Sequence, residues 1–97
     1  RQYSAPYVHM IELLFNADRL DEHAKLVAEA MKVPGVGKDY LYNEMGRNME
    51  VKGRISDAIK FYRLAIRRSM DKEQIKVIRE NIRRARSKRW LFTLRGL

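Results

Sequence analysis

The sequence predicts an all-α chain, with two αα-hairpins of period 35 forming a fragment of a right-handed α-solenoid and a basic C-terminal helix capping it. Three observations carry this. Residues 42–66 show helical periodicity twice, with Tyr42, Met45 and Met49 on one side of the first half and Ile55, Ala58, Ile59, Tyr62, Ala65 and Ile66 on one side of the second. Gly53 separates the halves where an antiparallel turn needs a glycine. Moving back 35 residues puts Tyr42 on Tyr7, Gly53 on Asp18, Arg54 on Arg19, Ile55 on Leu20, Asp57 on Glu22 and Ala65 on Ala30. A fixed period of this size signals stacked helical pairs, because one hairpin cannot bury its apolar face alone.

The elements follow in order. Pro6 suits a first helical turn, and the first helix should run to about Asn16 with Met10, Ile11, Leu14 and Phe15 inward. A second helix should start near Asp21 and stop before Pro34. Residues 33–39, VPGVGKD, read as a loop. Gly37-Lys38 is not a phosphate loop, since no glycine stands five residues earlier and Asp39 lacks the hydroxyl that a metal–phosphate site needs. Asp39 is the expected N-cap of the third helix, Ser56 or Asp57 opens the fourth, and Asp71 caps the fifth. Small Gly46, Ala58 and Ala65 should let the third and fourth helices approach closely, with Lys60, Arg63 and Arg67 facing out. In the fifth, Ile75, Ile78, Ile82 and Ala85 form a narrow stripe that can close the stack. One domain results, with repeats at 5–38 and 39–71, a capping helix at 72–90 and an apolar tail at 91–97.

Composition narrows the function. Without cysteine there is no disulfide framework, thiolate metal site or cysteine nucleophile. No apolar run is long enough to span a membrane. His9 and His23 lack a nucleophile or ligand partner at useful spacing, and Glu12, Asp18, Asp21, Glu22 and Glu29 read as ordinary helix-surface charges, with Lys25 and Lys32 in reach. No metal, cofactor, small-molecule substrate or enzymatic activity is therefore expected. The net charge of +9 is segregated: residues 1–38 are neutral and residues 72–97 carry +7. Lys76, Arg79, Arg83, Arg84, Arg86, Lys88 and Arg89 crowd one helix, which favours a polyanion, RNA phosphates first. Trp90 and Phe92 beside them could stack on bases or dock on a partner. The same residues would also suit an anionic membrane surface or a partner's helix-binding groove.

Tyr42, then Gly53-Arg54 eleven residues on, Asp57-Ala58 and an aromatic Tyr62 one turn later resemble the pentatricopeptide repeat, whose period is also about 35. The tetratricopeptide repeat is the close alternative. Tyr42, Gly46, Gly53, Ala58, Tyr62 and Ala65 also match its spacing, but its period is about 34 and its closing proline is missing here. The resemblance covers roughly residues 5–72. The pentatricopeptide form implies base-reading pairs at His9 with Asp39 and Glu44 with Gln74. His9 and Glu44 depart from the Asn, Thr or Ser usual there, so little sequence-specific reading is implied. The tetratricopeptide form implies a concave protein-binding groove showing Tyr40, Asn43, Arg47 and Glu50. Asn43 and Arg47 resemble part of a carboxylate clamp whose lysines are not evident.

The opening RQYSA resembles a mitochondrial presequence processing site. The combined expectation is a non-enzymatic subunit of a large ribonucleoprotein of the mitochondrial matrix, the mitochondrial ribosome first, touching rRNA phosphates through its basic helix and neighbouring proteins through its repeats. The alternative is a peptide-binding adaptor or assembly factor, mitochondrial or cytoplasmic.

Overall fold

The structure, a computed structural model, describes the backbone of residues 4–95 and the side chains of residues 6–88. Within these limits the chain is five helices and no strand: α1 (Ser4–Asn16), α2 (Leu20–Ala30), α3 (Lys38–Val51), α4 (Ile55–Arg68) and α5 (Lys72–Arg95). Each helix packs on the next in sequence. Side-chain bonds also join α1 to α3, through Tyr40 and Glu12, and α3 to α5, through Asn81 and Asn43. The third helix is thus the central one, flanked by two cores. Ile11, Val27, Ala30, Val36 and Leu41 fill one, while Met49, Ile55, Ala58, Ile59, Tyr62, Ala65, Ile78, Ile82 and Ala85 fill the other.

The α1–α2 and α3–α4 turns are built alike. Arg19 N–H donates to Leu14 C=O and Arg54 N–H to Met49 C=O, both at 2.9 Å, while Asp18 N–H donates to Phe15 C=O and Gly53 N–H to Glu50 C=O, both at 3.0 Å. This closes each helix on a left-handed residue, Asp18 at φ 60 and Gly53 at φ 82. The following residues, Arg19 and Arg54, have nearly equal backbone angles and pair with Glu22 and Asp57 three residues on. Between α3 and α4 the close approach expected of small residues is present. A Cβ added at Gly46 would lie 2.5 Å from two ring carbons of Tyr62.

Several expectations need correction. Met10 faces solvent, while its neighbour Ile11 is the α1 residue buried in the core with Val27, Ala30 and Leu41. The helix α3 begins at Lys38, a residue read as loop, so Asp39 lies in the first turn with its Oδ1 taking its neighbour Tyr40's N–H, and Gly37 stands at the cap. Likewise Arg54, not Ser56 or Asp57, precedes α4, and no side chain caps it. Asp71 does cap α5, its Oδ1 accepting from Glu73 N–H at 2.9 Å. That helix continues through Arg95, so the backbone of most of the apolar tail prolongs it. Arg89, Trp90 and Phe92 lie outside the described side chains, as do residues 1–5.

Candidate nucleic-acid interface

Much of the charge on α3 is internal. Glu44, 1% exposed, accepts from His23 Nε2 at 3.1 Å and from Arg47 Nη1 at 2.7 Å. The Asn48 amide nitrogen donates to the Leu20 carbonyl at 2.7 Å and meets His23 Nδ1 at 2.9 Å. That carbonyl fixes which way the amide points, so His23 carries its proton on Nε2, toward Glu44. Arg47 also lies over the Phe15 ring at 4.0 Å and 3.5 Å from Glu12, whose carboxylate accepts from Tyr40 OH. Burial opposes the charge on Arg47, but the bond to Glu44 and the nearby carboxylates outweigh it and raise its pKa. Burial, then Glu44 and Glu12, push the Tyr40 phenol up.

Six residues on, Glu50 faces the other way. Its carboxylate takes a bidentate pair from Arg84 at 2.8 Å each, a contact from Lys88 Nζ at 2.7 Å and the Tyr62 hydroxyl at 2.7 Å. Burial alone would raise its pKa; the bonds from Arg84, Lys88 and Tyr62 win and hold it down to about 2. Burial and Glu50 together push the Tyr62 phenol up, and the bond to Glu50 raises the Arg84 guanidinium. The expected groove is therefore largely spent on internal bonds. Asn43, Glu44 and Glu50 are buried and Arg47 is engaged, while His9 is exposed on α1 and Gln74 is half-buried on α5. Among the described residues, no hydrogen bond joins His9 to Asp39 or Glu44 to Gln74.

The cations of α5 consequently fall into two groups. Arg84 and Lys88 hold Glu50, on the side facing α3. Lys76, Arg79 and Arg86 are exposed and form no ion pair with a described residue, and Arg83 has only a solvent-exposed partner one turn back, Glu80 at 3.2 Å. Residues Arg79, Arg83 and Arg86, spaced four and three apart, share one side of the helix. Opposite them stands Arg63 of α4. Together with Ile66, Ile82 and Ser87 they line a hollow of about 540 Å³ between α4 and α5. Smaller hollows that share its arginines adjoin it, one with Lys72, Ile75, Lys76 and Glu80, the other with Lys60, Leu64 and Arg67. Glu80 is the one acid lining any of the three, among the described residues.

Sequence reasoning placed Arg63 and Arg67 on a solvated face and did not join them to the α5 cations. Their spacing on α4 was legible, but nothing local says that this row lies across from Arg79 and Arg83. The groove can do one thing chemically: offer forked, permanently charged donors from two helices to a run of anions. Among the described residues no helix is long and apolar enough to cross a membrane, and no group of His, Asp or Glu is arranged to hold a metal ion. Comparison with protein-family models, with curated proteins and with solved structures gives no match.

Proposed function

We propose that the chain is a non-enzymatic subunit of a large ribonucleoprotein that docks on RNA through the groove between α4 and α5. One observation carries this: Arg63, Arg79 and Arg86 line one hollow from two helices with no acid of the described chain paired to them, and Arg83 beside them has only its exposed partner Glu80. Like charges at these spacings repel, so a polyanion that neutralises them gains binding free energy here. The mitochondrial ribosome is the particle proposed first. The pentatricopeptide-like repeat reading is supported by the two turns with matching hydrogen bonds, 35 residues apart.

The peptide-adaptor reading draws on a smaller hollow of about 280 Å³, lined by Phe15, Arg47, Glu50, Val51, Asn81, Arg84 and Lys88. Its cations are already neutralised by Glu50 and Glu44, so it ranks second. The deciding experiment is RNA affinity against salt. Four phosphate contacts give a log–log slope of about −3, a roughly 50-fold loss between about 50 and about 200 mM salt. A loss below about threefold would exclude phosphate contacts as the basis of binding.

A further inference from the structure

Between its arginine walls the α4/α5 groove has an apolar floor. Ile66 and Ile82 line the same hollow as Arg63, Arg79, Arg83 and Arg86, with the exposed Ser87 at its edge. Along α5 the cations Lys72, Lys76, Arg79, Arg83 and Arg86 alternate spacings of four and three, which keeps them in one row about 21 Å long. A duplex would meet this groove with phosphates alone, since its base faces are stacked inside, and the floor would stay unfilled. Unpaired nucleotides offer both halves of the match, phosphates for the walls and base faces for the aliphatic floor and the guanidinium planes.

We infer that the groove takes single-stranded RNA, a loop, bulge or end, with a base or ribose seated on Ile66 and Ile82 and its flanking phosphates on Arg63, Arg79, Arg83 and Arg86. This rests on the RNA reading above and adds the form of RNA recognised. Arginine rather than lysine on every wall position of the central hollow suits it, because guanidinium groups both fork onto phosphate and stack on bases.

The test compares, for the full chain, a mixed-sequence single strand and a hairpin duplex carrying the same number of phosphates, at several salt concentrations. The single strand should bind at least about fivefold tighter, and Ile66→Asn should weaken it by about tenfold while leaving hairpin affinity and the salt slope unchanged. Ile66→Ala repeats the measurement should the Asn variant lose its helical circular dichroism. Equal or tighter hairpin binding with a slope near −3 overturns the inference and leaves the RNA reading standing. No salt-dependent binding of either RNA overturns both. An acidic amphipathic peptide that displaces the strand at equal concentration assigns the floor to a partner helix and likewise overturns it.

Discussion

Glu44 and Glu50 lie six residues apart on α3, both almost fully buried, yet they are neutralised differently. Glu44 faces α2 and is met by a neutral imidazole and by an arginine from its own helix. Glu50 faces α4 and α5 and is met by a phenol and two cations from those helices, all from outside α3. The first carboxylate organises a local polar cluster; the second ties three helices together. The contrast explains why the basic run of α5 is not uniform. Two of its cations are structural, and the row facing α4 is left over.

Replacing each carboxylate by its amide would separate the two roles most sharply. Glu50→Gln should cost about 3 kcal/mol in urea unfolding, because three partners lose a shared charge. Glu44→Gln should cost less, about 2 kcal/mol: His23 is held by Oε1 and Arg47 by Oε2, and the amide keeps an acceptor for only one of them. The pH dependence follows with a definite sign. Glu50 is held below its ordinary 4.5, at about 2, so its contribution is fully present above pH 4.5 and is lost as pH falls from there through about 2. The shift corresponds to about 3 kcal/mol, and the acid unfolding of Glu50→Gln should lack it.

The Glu50 side also depends on close packing. Gly46→Ala would drive a methyl into the Tyr62 ring, which its bond to Glu50 prevents from stepping aside. A loss of about 2 kcal/mol is expected, read as a lower urea midpoint at unchanged slope. The smallest effects compare the two turns. Both Asp18 and Gly53 occupy left-handed backbone, so Gly53→Ala should destabilise by about 1 kcal/mol and Asp18→Gly should stabilise by about 0.5 to 1 kcal/mol. Thermal melts of the two variants should therefore move in opposite directions.

What was legible in the sequence was whatever period and turn chemistry encode. Helix number, the close contact at Gly46, the Ile78–Ile82–Ala85 seam and the cap at Asp71 all follow from local spacing. The fate of α3 was not legible. Its charges and amides look like a solvated face, and only the neighbours on both sides turn Asn43, Glu44, Asn48 and Glu50 into interior groups. For the same reason Arg84 and Lys88 could not be told from Arg79 and Arg86 beforehand. All sit on one basic helix, and the partner that distinguishes them stands 34 residues from Arg84.

The most direct test of this division is the salt dependence of RNA binding in two variants. Arg79→Gln/Arg83→Gln/Arg86→Gln should keep wild-type stability and flatten the log–log slope by about 2, while Arg84→Gln/Lys88→Gln should lose stability and keep the wild-type slope. The reverse pattern, with the slope lost on removing Arg84 and Lys88 and unchanged on removing the other three, would contradict the account.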